Sequence, residues 1–298
     1  MYYLLLSVLS SSLIFIVFKL FAKHNVQTFY AIVVNYITAS AVGLSLYQGE
    51  VQVFEIYTKP WFIGTLCLGV LFILVFNIMA ATSQRIGVSA ASVATKMSLV
   101  IPVIFGVLVY GETLGIIKVL GIALALCAVY FSSVKKNTIR LDKSDLWLPI
   151  LVFLGSGIID TSIKYVQEVY VQEEEYPLFT ALVFAAAATT GMFYLVIKSS
   201  KEPIKVNFKN VLGGIALGVP NYFSIYFLLK ALQLTKLNSA SIFTINNVFI
   251  VIFTTLLGIL LFKEKISLKN WIGIIIAIIS ILLVAFGDDI LPFKNPIF

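Results

Sequence analysis

The sequence predicts an all-α integral membrane protein in which ten transmembrane helices form two inverted five-helix repeats. Three observations carry this expectation. Of the 298 residues, 60% are hydrophobic and only 12% charged, half the charged share of about 25% that a soluble domain carries, and the mean hydropathy is +1.02. Ten apolar runs each reach the roughly 20 residues that a helix needs to cross the hydrocarbon core. A stretch of the first half also recurs in the second. Such a composition excludes a water-soluble enzyme, a disulfide-stapled secreted domain and a disordered chain.

The spans fall at 2–22, 28–47, 61–82, 88–110, 114–133, 146–168, 177–197, 208–232, 239–262 and 267–287. The first starts directly after Met1, and its basic residues, Lys19 and Lys23, follow the apolar run, so it reads as a retained helix and not a signal peptide. The second carries Asn35 and Tyr36, the third Asn77, and the fourth Lys96 and Pro102. Glu112 heads the turn into the fifth. The polar linker KKNTIRLDKSD, 135–145, then separates five spans from five. The sixth holds Asp160 and Lys164; the seventh lies between the acidic run Glu173–Glu175 and the polar stretch 198–209. Pro220, Asn221, Tyr222 and Tyr226 fall in the eighth, Asn246 and Asn247 in the ninth, and Glu264 precedes the tenth. The ten-residue alternation of a membrane β-barrel is absent. Cys67 and Cys127 lie inside apolar segments and read as free buried thiols, and the single histidine, His24, sits at a span end. Neither a metal site nor a cofactor is expected.

The repeat aligns Gln84–Thr95 (QRIGVSAASVAT) with Gln233–Thr244 (QLTKLNSASIFT) at a spacing of 149, and Glu112 with Glu264 and Gly121 with Gly273 at 152. This predicts units at 1–134 and 146–298 joined by the 135–145 linker. Five spans per unit is an odd number, so the second unit enters the membrane inverted. Inverted repeats are a recurring device of secondary transporters, with a midplane site between the halves. With the amino terminus outside, thirteen Lys and Arg fall in cytoplasmic loops against four outside (Lys59, Lys118, Lys236 and Lys294). Positive charge concentrates on the cytoplasmic side, so both termini are read as extracytoplasmic in a multi-pass protein of the cell (inner) membrane. The basic residues lie between apolar runs, with no arginine-rich or aromatic-interleaved stripe, so nucleic acid is not an expected partner.

At these residues the chain resembles the drug/metabolite transporter superfamily, specifically its EamA-type members. The resemblance rests on a twice-repeated block: a small-residue run (SAASVAT; NSASIFT), an apolar helix, a Glu after the turn (YGETL; FKEKI) and a Gly in the next helix (VLGIALAL; WIGIIIAI). It departs in lacking a second-block counterpart of Pro102 and in placing Lys263 where a glycine is common. The resemblance implies a ten-helix basket, with helices one, three, four, six, eight and nine around a central cavity and helices five and ten paired at one edge.

An ionisable group at mid-membrane costs at least about 2.5–3.5 kcal/mol on insertion scales and normally meets a cavity or a partner. Lys96, Asp160 and Lys164 are such groups. Asp160 and Lys164, four apart on one helix face, form either a self-neutralising packing pair or a cavity lining; Lys96 is a counter-charge for a carboxylate or phosphate. Asn77, Asn221, Tyr222, Tyr226, Asn246 and Asn247 are polar candidates for the same cavity, or interhelical hydrogen bonders. Pro102 and Pro220 each remove a ladder donor and are candidate hinges or kinks. Glu112 and Glu264 are expected to offset the dipoles of the helices they precede. Together these predict a secondary transporter, exporter or facilitator, moving a small polar metabolite such as an amino acid by alternating access. An anionic solute (sugar phosphate or nucleotide sugar) or a lipophilic drug is the alternative substrate, and a membrane receptor or scaffold the alternative class. Catalytic residues are not expected: no HExxH, GxSxG or GxxxxGK[ST] is present. The expected partners are the solute, membrane lipid and a coupling proton if Asp160 carries one; the chain is read as a monomer.

Overall fold

The computed structural model describes residues 2–47, 53–110, 115–133, 147–172, 175–199, 207–234 and 239–290. Twelve helices run in order: α1 (Tyr2–Lys23), α2 (Thr28–Leu46), α3 (Val53–Ile56), α4 (Phe62–Arg85), α5 (Val88–Met97), α6 (Val100–Tyr110), α7 (Ile116–Ser133), α8 (Trp147–Tyr170), α9 (Tyr176–Ser199), α10 (Phe208–Leu234), α11 (Ser239–Phe262) and α12 (Leu268–Ile290). No strand occurs among the described residues. Nine spans there are long and apolar enough to cross a membrane, with α5 and the start of α6 counted as one, and the shorter apolar helix Ile116–Ser132 supplies a tenth. Helix ends fall within three residues of the sequence expectation; α3, a single turn ahead of α4, is an addition to it.

The fourth span is two helices, whereas the sequence predicted one. Pro102 has no N–H to offer the Ser98 carbonyl four residues back. Ser98 O accepts instead from Ile101 N–H at 2.9 Å, and the α-helix is interrupted between Met97 and Val100. Pro220 acts differently: α10 runs unbroken through it.

Bilayer lipid is as apolar as leucine, so helices associate where small residues let backbones approach. Gly69 of α4 lies against Ala186 and Ala187 of α9, where a Cβ would come within 2.7 Å of their backbone. Gly214 and Gly218 of α10 sit on Val34, Asn35 and Thr38 of α2. In the α7–α12 pair, Gly121 meets Val284 and Gly273 meets the backbone of Phe131 and Ser132. That seam is pinned by Ser280 Oγ donating to Gly121 O at 2.8 Å and Asn270 Nδ2 donating to Ser132 O at 2.9 Å. At the other side of the molecule Phe18, Tyr36, Phe72, Phe76 and Phe184 interlock edge-on and offset, tying α1, α2, α4 and α9 together. Tyr36, fully buried there, donates to Phe72 O at 2.9 Å. Cys67 and Cys127 are free but exposed, on outward faces of α4 and α7, and not in the interior as expected.

Candidate functional site

The helix break positions the charges. Residues 88–94 of α5 are all buried, and Thr95 and Lys96, next to the break, are half-buried. Across the break stands Asp160 of α8. Leu151, Leu154, Ile158, Tyr165 and Val169 are exposed and mark the outward stripe of α8. A helix turns about 100° per residue, so Asp160 lies roughly 200° from Ile158, flanked by the buried Phe153, Ser156 and Gly157. It is exposed all the same. Ser98 Oγ donates to Asp160 Oδ2 at 3.4 Å, and Lys96 is the cation whose field reaches that carboxylate.

Lys164 is exposed one turn further along the inward face of α8, but the charge that acts on Asp160 is Lys96, from a different helix. Asn247 of α11 is half-buried and about 180° from the exposed Leu256, hence also inward. Asn246 is buried, and its Oδ1 has no hydrogen-bond partner among the described residues. The other expected polar groups make contacts within and between helices. Asn77 Nδ2 donates to Ile73 O of its own helix at 2.6 Å, and Asn221 Nδ2 donates to Asn35 Oδ1 across the α2–α10 seam at 3.2 Å. Tyr222 packs over Gly43 and stacks on Tyr226, whose ring carries Lys230 Nζ at 5.9 Å; these contacts form a group of their own on α10. Ser98 was missed in the sequence, although a serine four residues before a proline on a charged span was the available signal.

The two ends of the bundle are cross-linked by different contacts. At one, Glu264 sits between halves of the chain. The sequence expectation had it offset the dipole of α12; instead its Oε1 accepts from Val88 N–H, at the start of α5, at 3.0 Å. Lys19 Nζ stands 3.6 Å from the same oxygen and donates to Gln84 O at 3.1 Å, so α1 joins the clasp. Room for the carboxylate comes from Gly87, at φ +148°, and Gly258, where side chains would meet it at 3.1 and 2.8 Å. Lys263, the counterpart of Gly111 in the first repeated block, holds φ +52°, the left-handed conformation that glycine adopts without cost. Glu112 lies outside the described residues. At the opposite end Glu175 accepts from Lys59 Nζ at 2.7 Å and Trp61 Nε1 at 2.8 Å, joining the starts of α4 and α9. Partial burial works to raise the Glu175 carboxyl, but the Lys59 and Trp61 hydrogen bonds outweigh it and hold the group below its ordinary 4.5.

The sequence profile of the EamA-like transporter family matches residues 1–134 and 144–286. The chain belongs to this family. As an EamA-like protein it is a membrane transporter of small solutes. An uncharacterized protein of Haemophilus influenzae (strain ATCC 51907 / DSM 11121 / KW20 / Rd) is 30% identical over 302 residues, covering 98% of this chain and all of its own. A protein of known crystal structure shares the fold at a TM-score of 0.61 and 14% identity, over 96% of this chain and 99% of that one. For this EamA-like chain, the seam between α7 and α12 forms the paired edge that the family resemblance implied.

Proposed function

We propose that the chain is a secondary transporter of a small polar organic solute, an amino acid in the first instance, working by alternating access between two inverted halves. The observation that carries this reading is the exposed Asp160 on the inward face of α8, opposed by Lys96 and Ser98 at the break between α5 and α6. The opposed charges of Asp160 and Lys96 suit a zwitterion: the ammonium of the solute meets Asp160 and its carboxylate meets Lys96, each replacing the other's counter-charge during transit. Lys164 and Asn247 extend the same lining. Alternating access requires each end to open in turn, and the Lys19–Glu264 and Lys59–Glu175 contacts are the closures that part. The Lys and Arg bias supports an orientation with the Lys19–Glu264 end toward the cytoplasm and both termini outside.

The test is counterflow in proteoliposomes with labelled amino-acid and nucleotide-sugar panels, wild type beside Asp160→Asn and Lys96→Ala. Amino-acid exchange abolished by either substitution supports the reading. Exchange of nucleotide sugars that depends on Lys96 but survives Asp160→Asn favours the anionic-solute alternative. Binding without exchange, in protein with a sharp melt, replaces transport with a receptor role.

A further inference from the structure

Two grooves open on the outer, lipid-facing surface, and they correspond to one another in sequence. The first, about 330 Å³, runs between α1 and α10 and is walled by Val17, Leu20, Leu212, Gly213 and Ala216. The second, about 360 Å³, runs between α8 and α4, with Phe105 of α6, and is walled by Val166, Gly64, Cys67 and Leu71. Val17 and Val166, Gly64 and Gly213, and Cys67 and Ala216 are each 149 residues apart, the spacing that aligns the halves of the chain. In both, a glycine opens the slot: a Cβ at Gly64 would press on Val166, and one at Gly213 on Phe21 and Val26.

The mouths differ. His24 and Lys209, both exposed, stand at the end of the first groove, where α1 finishes and α10 starts. Lys23 precedes His24 in sequence, and no acid lines that groove among the described residues. The second groove is lined by the hydroxyl-bearing Thr161, Ser162 and Tyr165 and, among the described residues, by no charged one. The first groove also continues the exposed apolar stripe of α1 through Leu5 and Leu13. Its walls therefore meet acyl chains, and its mouth stands at the level where span ends meet headgroups. Basic residues at that level draw anionic lipid.

We propose that the α1–α10 groove is a binding site for one anionic phospholipid, its acyl chain in the apolar slot and its phosphate between His24 and Lys209. The α8–α4 groove accepts an acyl chain with no headgroup preference, which makes the pair an internal comparison.

The experiment is native mass spectrometry of the full-length protein in detergent, titrated with phosphatidylglycerol or with phosphatidylcholine of identical chains. Wild type is expected to retain the anionic lipid about fivefold or more over the zwitterionic one, the scale of one basic residue at a membrane surface. His24→Gln with Lys209→Gln brings the ratio near one. Ala216→Trp fills the slot with the charges in place and removes the preferred lipid. Lys269→Gln, at the same end of the bundle but outside the groove, and Cys67→Trp, in the second groove, leave the ratio unchanged. A melting curve accompanies each variant, and the single substitutions at the exposed His24 and Lys209 serve if the double variant misfolds. Equal retention of the two lipids by wild type, or a preference that survives loss of both His24 and Lys209, overturns the proposal.

Discussion

Asp160 shows how one side chain is read differently from sequence and from structure. In the sequence it had Lys164 four residues away and an ion pair within the helix was open. The structure gives it a cation and a hydroxyl from the fourth span instead, a pairing that depends on how α5 and α8 pack and that no spacing along the chain records. Asp160→Asn is expected to reduce solute exchange about tenfold or more, the scale of a lost charge-assisted contact of about 1.5–3 kcal/mol, with Asp160→Glu retaining part of the activity in the same counterflow assay. Lys263 gives a prediction on stability. A side chain at φ +52° carries a left-handed penalty of roughly 1–2 kcal/mol that glycine avoids, so Lys263→Gly should raise the melting temperature and leave exchange unchanged. Its position was legible as the departure of FKEKI from the repeated pattern. Glu175 sets a pH dependence. Its carboxyl is held below 4.5 in the folded protein, so the folded state binds the proton less tightly than the unfolded one. The stabilisation is present above about pH 4.5 and is lost as pH falls through the lower folded value. Melts taken between pH 6 and pH 3 should fall less steeply for Glu175→Gln than for wild type.

At the level of elements, the ten spans were legible because a bilayer imposes one length and one composition on whatever crosses it. What was not legible was a discontinuity inside a span, since hydropathy does not change where the fourth one breaks. Pro102 gave the position only approximately: the interruption lies at Ser98, whose carbonyl the proline leaves without its usual donor. Pro220 presents the same local chemistry within an unbroken helix, so a proline alone does not decide between the two outcomes. The Glu264 clasp was likewise out of reach. A turn carboxylate is expected to serve the helix that follows, and its service to α5, in the other half, arises from tertiary packing. Glu264→Gln keeps the acceptor for Val88 N–H but removes the charge that holds Lys19. Thr95→Cys, in a background without Cys67 and Cys127, should then react several-fold faster with an impermeant maleimide added at the Lys19 end.

For the whole molecule, the separation of seams from cavity makes stability and transport separable. The α7–α12 pair is held by glycines facing backbone and stands apart from Asp160. Gly121→Leu pushes into Val284 and Leu283, an overpacking of about 1–3 kcal/mol; it should lower the melting temperature while the solute profile of the surviving protein stays that of wild type. The repeated small-residue blocks made this pairing legible, because close approach needs small residues at both partners and both were visible at Gly121 and Gly273. The aromatic interlock around Tyr36 was not, since phenylalanine is as common on lipid-facing stripes as inside.

The interruption at Ser98 has an electrostatic consequence. A continuous helix shows no free ends at mid-membrane, whereas here one helix finishes and another starts in the middle of the span. Lys96 lies in the last turn of α5, at the partly negative pole of that segment, and Ser98, which donates to Asp160, lies in the gap before the positive pole of α6. The broken backbone thus adds to the attraction between the two side chains, lowering what it costs to keep both charged in a bilayer while solute is absent. Mending the helix with Pro102→Ala would remove those poles while leaving every charged residue in place.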